Sequence, residues 1–341
     1  MNNLIVTGGA GFIGCWFVRK ALSKGYRVCV LDKLTYSGNL ANLEDVKDHP
    51  NYNFVKGDIC DKELVTKLIQ EYTPKGIINF AAESHVDNSI SGPAPFVQTN
   101  VIGTFNLLDC SLNYYNSLER SEAENFKFIQ ISTDEVYGSL TKDEPAFTSR
   151  TQYAPNSPYS ATKASADHLA RAWYETYGLP VIVTNCSNNY GPNQHAEKLI
   201  PKVITNALTG KDIPIYAKGE NIRDWIYVED HADGIMLALE KGIAGKKYLF
   251  GGDKELKNIE VVDKICKILE EKTGINARGQ IKYVTDRLGH DYRYAINSEE
   301  SKHELGFIQK HSFDDAIKNT INWYISSNNS LSSNQLNFKE S

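Results

Sequence analysis

Short apolar runs recur along the first half of the chain, separated by longer stretches with a helical rhythm. Residues 4–7, 27–31, 53–56, 76–80, 126–131 and 180–184 are mostly apolar and bounded by Gly, Pro, Asn or Asp, which predicts strands. Between them, residues 11–24, 62–72 and 96–115 place apolar side chains three and four apart, which predicts helices. Strands that are apolar throughout, alternating with helices, predict a Rossmann-type doubly wound parallel sheet of the α/β class. We place this unit at residues 1–187.

Beyond Asn185 the rhythm breaks. Turn-rich stretches at 188–194 and 286–291 alternate with helices predicted at 198–209, 229–241 and 259–272. Residues 188–325 are therefore read mostly as a smaller C-terminal lobe, with 223–252 expected to return to the first unit. The Ser- and Asn-rich stretch 326–341 is expected to be a disordered tail. No internal repeat is evident.

Composition narrows the class. The 341 residues are 41% hydrophobic and 23% charged, with a mean hydropathy of -0.40, as in globular proteins. No apolar run nears the roughly 18 residues of a membrane-spanning helix. The first residues lack the basic start and long apolar region of a signal peptide. A net charge of -5 argues against a nucleic-acid partner. Cys15, Cys29, Cys60, Cys110, Cys186 and Cys266 are scattered, with no C-x-x-C pair and no clustered histidines. Reduced thiols in a cytoplasmic protein, and no metal site, are expected.

Gly8-Gly9-Ala10-Gly11-Phe12-Ile13-Gly14 follows the first predicted strand and opens the first helix. Glycines at 8, 11 and 14 permit a tight turn, a close approach to a pyrophosphate and close helix–strand packing. The helix N-terminus offers free N–H groups to phosphate. Asp32 ends the second strand, where a carboxylate accepts hydrogen bonds from an adenosine ribose and repels a 2′-phosphate. This favours NAD over NADP, although Lys33 stands beside it. Asp58 and Ile59, after the third strand, are candidate adenine neighbours.

Tyr159-Ser160-Ala161-Thr162-Lys163 places a phenol and an ammonium on one helix face. A phenolate near neutrality needs its pKa lowered by about three units, and a nearby cation is a physical means to that. The spacing alone is common by chance; downstream of a dinucleotide fingerprint it carries weight. Ser132-Thr133-Asp134-Glu135 follows the fifth strand, at the end where open α/β sheets bind ligands. Without context two adjacent carboxylates would be a solvated loop; in a cofactor cleft they suit a separate acid and base.

Together these motifs resemble the extended short-chain dehydrogenase/reductase family over roughly residues 3–325, and Thr133-Asp134-Glu135 resembles its nucleotide-sugar 4,6-dehydratases of the dTDP-glucose type. The resemblance implies that Ala81, Ala82, Ser84, Thr35, Thr99 and Asn189 join Gly8, Gly11, Phe12, Ile13, Gly14, Asp32, Lys33, Asp58, Ile59, Tyr159 and Lys163 around NAD. It implies that Ser84, Thr133, Asn188, Glu197, Lys198, Leu199, Pro214, Tyr216, Arg223, Asn258, Arg287 and His290 bind a nucleoside-diphosphate sugar, Arg223 and Arg287 through its diphosphate. Leu288 departs from the usual Arg-Pro-Gly-His-Asp form, which changes backbone stiffness and not the charge of Arg287; Asn193-Gln194-His195-Ala196 departs from an aromatic-proline form, which leaves the local pocket shape open. The implied chemistry is oxidation at C4 by Tyr159, water loss across C5 and C6 by Glu135 and Asp134, and return of the hydride to C6. The implied assembly is a homodimer. A nucleotide-sugar 4-epimerase would explain everything except Asp134-Glu135, and a non-catalytic NAD-binding regulator would explain only the cofactor motif. The base, thymine or uracil, stays open.

Overall fold

The computed structural model describes residues 2–337, those beyond 327 by backbone alone. Seven strands form one parallel sheet: β1 (Asn3–Thr7), β2 (Arg27–Asp32), β3 (Tyr52–Lys56), β4 (Gly76–Asn79), β5 (Lys127–Thr133), β6 (Val181–Cys186) and β10 (Lys247–Phe250). Their order is β10-β6-β5-β4-β1-β2-β3, so the chain reverses direction across the sheet between β1 and β4. Helices cover both faces, which is why β1, β4 and β6 are buried along their whole length.

The helices pack by their apolar stripes. In Phe12–Ser23 the buried face is Cys15, Phe17, Val18, Ala21 and Leu22, and it rests against the helix Val228–Lys241 on the same side of the sheet. The segment predicted as one helix over 96–115 instead holds a π-helical stretch, Val97–Gly103, ahead of the α-helix Thr104–Tyr115. π-helical turns are uncommon and concentrate at functional sites; this one carries Thr99. The helix Pro158–Tyr177 is sharply delimited. Ser157 and Ser160 form a capping box, Pro158 opens it, and Gly178 closes it in the left-handed region at φ 72°.

The remaining strands build the second lobe. β7 (Asn188–Tyr190), β9 (Ile222–Tyr227) and β11 (Glu255–Lys257) form a sheet of order β11-β9-β7, and β8 (Ile213–Tyr216) pairs with β12 (Ile281–Val284). This lobe has its own core of Tyr190, Ile200, Val203, Ile213, Val261, Ile265, Leu269, Ile317 and Ile321. Of residues 223–252, the helix Val228–Lys241 and β10 join the large sheet, whereas β9 stays with the small one.

The last helix spans Phe313–Asn337, which corrects the expectation of disorder from 326. Its packed start, through Ile317, Ile321 and Tyr324, supplies the costly helical nucleus, so further turns add at small cost even with Ser and Asn. Residues 338–341 of that stretch lie outside the described residues. No helix among the described residues is long and apolar enough to cross a membrane.

Candidate active site

A cavity of about 280 Å³ opens at the carboxyl ends of β1, β2, β4 and β5. Its floor is the turn after β1. Gly8 adopts φ 66°, and a Cβ on Gly14 would lie 2.3 Å from the Gly8 carbonyl oxygen. Only glycine lets the helix start this close to the turn. No side chain caps that helix at Gly11, which leaves its first N–H groups and its positive dipole end to an anion. Phe12, Ile13, Thr35, Ile59, Ala81, Ala82, Ser84, Thr99 and Asn189 line the same cavity.

Asp32 faces this cavity and also holds the turn, accepting from the Ala10 N–H at 3.0 Å and the Leu34 N–H at 2.8 Å. Burial raises its pKa, and the two N–H donors pull it back down. Lys33 reaches Asp58 at 2.7 Å. Its charge is thus already met by a carboxylate, which removes the sequence argument that Lys33 would welcome a 2′-phosphate. These residues fit a dinucleotide with an unphosphorylated ribose.

β5 delivers the reactive turn. Thr133 ends the strand and caps a single 3₁₀ turn, Asp134–Tyr137. Its hydroxyl accepts from the Glu135 N–H and donates to Asp134 Oδ1, both at 3.3 Å. Asn185 on the neighbouring strand β6 fixes the turn from behind, donating to the Thr133 carbonyl at 3.0 Å. Asp134 is 2% exposed, and its Oδ2 is buried without a hydrogen-bond partner. Burial, Glu135 and Asp224 push its pKa well above the carboxylate range. Arg223 and the Thr133 hydroxyl oppose that rise, so the surroundings as a whole favour the protonated form. Glu135 is also raised by burial, but Arg287, Lys198 and Arg223 oppose the rise.

Tyr159 and Lys163 enter from the helix Pro158–Tyr177 and line the same cavity. Burial and the facing Glu135 hold the Tyr159 phenol protonated in the protein alone. Its ring packs edge-on against Phe96. Burial lowers the Lys163 pKa, and its Nζ donates to the Ile131 carbonyl at 2.6 Å.

A second cavity, of about 250 Å³, lies between the lobes and is lined by Leu199, Pro214, Tyr216, Arg223, Asn258, Arg287 and His290. Glu135, Asn188, Glu197 and Lys198 line both cavities. Glu135 thus stands where they join. The charges here are unevenly free. Arg223 is 4% exposed, stacks on Tyr294 and donates to the carbonyls of Ile222, Asp291 and Tyr292. Arg287 keeps a buried Nε without a hydrogen-bond partner, so it presents the freer guanidinium.

Several residues at the site escaped the sequence reading. Asp87 accepts from the Tyr216 hydroxyl at 2.9 Å and faces Arg287 at 3.7 Å. Tyr294 supports Arg223. Cys186 lines the first cavity. Tyr36 meets His195, which lines the same cavity, edge-on. Two of these had a sequence signal: His195 in the departure from the aromatic-proline form, and Asp87 at the end of the segment 81–87 that resembles the family's. No cluster of three potential metal ligands occurs among the described residues.

The family model described as GDP-mannose 4,6 dehydratase matches residues 5–320. The chain belongs to this family. A dTDP-glucose 4,6-dehydratase of Xanthomonas campestris pv. campestris (strain B100) is 51% identical over 329 residues, 95% of this chain and 93% of that relative. The structure of dTDP-glucose 4,6-dehydratase from Bacillus anthracis str. Ames in complex with NAD has a TM-score of 0.86 at 48% identity, covering 96% of this chain and 97% of that one. The Streptomyces venezuelae dTDP-glucose 4,6-dehydratase, with NAD and TYD bound, also gives 0.86, at 44% identity and covering 95% and 97%.

Proposed function

We propose that this family member is a hydro-lyase that converts dTDP-glucose to its 4-keto-6-deoxy form and water, using tightly bound NAD, within deoxysugar (rhamnose-type) biosynthesis. When bound, NAD takes a hydride from C4 and returns it at C6, and its positive ring favours the phenolate. Tyr159, with the Lys163 ammonium beside it, takes the C4 hydroxyl proton, while Thr133 and Ser84 orient the sugar. A 4-ketone acidifies the C5 hydrogen; Glu135, kept closer to ionised by three cations, removes it, and a proton returns to C5 when the hydride reaches C6. Asp134, which holds its proton, gives that proton to the departing C6 hydroxyl. Arg287 and Lys198 meet the diphosphate end, and Tyr216 offers a face to the base.

The buried, partner-free Asp134 Oδ2 carries this reading, since a 4-epimerase has no use for an acid there. Asp134→Asn tests it. We expect the first oxidation to persist and water loss to slow about 10²-fold or more; equal loss of both steps would exclude this role. The base rests on the relatives' names alone, because a methyl group in a pocket is worth only about 1–3 kcal/mol. Faster turnover of UDP-glucose than of dTDP-glucose would reverse it.

A homodimer and a cytoplasmic setting belong to the same proposal. Val97, Ile102 and Phe105 are exposed on one segment, and Phe105, Trp173 and Tyr177 touch in series, an apolar face suited to a second copy. All six cysteines are free, in keeping with a reducing compartment.

A further inference from the structure

Among the described residues Lys163 has no carboxylate within ion-pair distance, yet the residue is only 5% exposed. Its one hydrogen bond goes to the Ile131 carbonyl. One turn further along the same helix lies Asp167, 2% exposed. Asp167 Oδ2 accepts from the Ser132 hydroxyl at 2.6 Å, the Tyr153 hydroxyl at 2.9 Å and Asn185 Nδ2 at 3.4 Å. Burial raises the Asp167 pKa, Lys163 and these three donors lower it again, and its Oδ1 is buried without a hydrogen-bond partner. The partners of Oδ2 are informative. Ser132 immediately precedes Thr133, and Asn185 also holds the Thr133 carbonyl. Asp167 therefore ties the helix that carries Tyr159 and Lys163 to the strand end that carries Thr133, Asp134 and Glu135. It lines neither cavity.

We propose that Asp167 is a positioning residue for the first oxidation, fixing the Ser132–Thr133 strand end from behind and supplying the negative charge that keeps buried Lys163 an ammonium. This rests on the catalytic reading of Tyr159 and Lys163 given above. The titratable groups facing Asp167 are Lys163, Tyr137, Tyr153 and Lys247, and Cys186 also faces Lys163. Burial pushes Tyr137, Tyr153 and Cys186 far up, so they keep their protons across the working range. Lys247 sits over the Tyr137 and Tyr153 rings. That leaves Lys163 and Lys247 as the groups whose proton Asp167 can hold.

Asp167→Asn removes the charge and keeps an acceptor. In a Glu135→Gln background, where water loss is blocked, stopped-flow absorbance of the reduced cofactor reads the first oxidation alone. We expect its rate to fall about 10- to 100-fold, with KM for dTDP-glucose changed less than about threefold. The alkaline limb of that rate should move down by about one pH unit, because Lys163 without its countercharge loses its proton sooner. Asp167→Glu should return the limb; Ser132→Ala should slow the step and leave the limb in place, as should Lys247→Gln. Retained NAD per chain and melting temperature, read on every variant, separate positioning from collapse. An unmoved limb and rate in Asp167→Asn would overturn the proposal. If that variant does not fold, a wild-type rate in Ser132→Ala would overturn it. A wild-type chain that does not turn over dTDP-glucose would instead overturn the function on which it rests.

Discussion

Asp134 and Glu135 are consecutive residues on one turn, yet Asp134 faces Glu135 and Asp224 with Arg223 alone opposing them, whereas Glu135 faces Arg287, Lys198 and Arg223 with Asp291 alone opposing them. Burial raises both pKa values, and the neighbours then separate them. Protein surroundings of this kind let two like groups serve as acid and base at one pH.

The pH dependence of water loss follows from that separation. Glu135 must be ionised, so the rate falls as pH drops through a pKa above the ordinary glutamate value. Asp134 must be protonated, so the rate falls again as pH rises through its own, higher pKa. Removing a cation from Glu135 raises its pKa further. Lys198→Met is therefore expected to shift the acid limb of kcat to higher pH by up to about one unit and leave the alkaline limb in place.

Gly14 sets how closely the first helix approaches the turn after β1. A Cβ there would meet the Gly8 oxygen at 2.3 Å and Gly9 Cα at 2.8 Å, both backbone atoms that cannot swing aside. Gly14→Ala is expected to cost about 1–3 kcal/mol of stability and to leave the purified protein with little bound NAD. Melting temperature and cofactor content per chain measure both.

Asp58 controls how the site sees a 2′-phosphate, because it occupies Lys33 at 2.7 Å. Asp58→Asn frees that ammonium. An exposed pair of this kind is worth up to about 1 kcal/mol, so the preference for NAD over NADP is expected to narrow by roughly fivefold. Titration of cofactor-free protein with each dinucleotide measures the ratio.

Phe105 is 43% exposed beside Trp173. Phe105→Glu would put a charge in the centre of the proposed dimer face. Sedimentation should find dimers in the wild type and monomers in the variant.

The sequence was legible where burial leaves a local signature. β1, β2 and β6 are apolar because both faces are covered, and the glycines at 8, 11 and 14 announce a crowded turn. β10 was not read as a strand, since Lys247–Phe250 is four residues that only its pairing with β6 defines. The lining of the second cavity was legible only through resemblance, because residues as distant as Glu135 and Arg287 meet there. Arg223 looked like a free guanidinium in sequence, but three backbone carbonyls hold it. Asp167 carried no signal, because its partner Ser132 lies 35 positions away.

The product's mass decides most directly whether this site removes water. Incubated with dTDP-glucose and followed by mass spectrometry, the purified protein is expected to yield a nucleotide sugar lighter by one water, with no net consumption of NAD. A product of unchanged mass would contradict the dehydratase reading and point to epimerisation at C4.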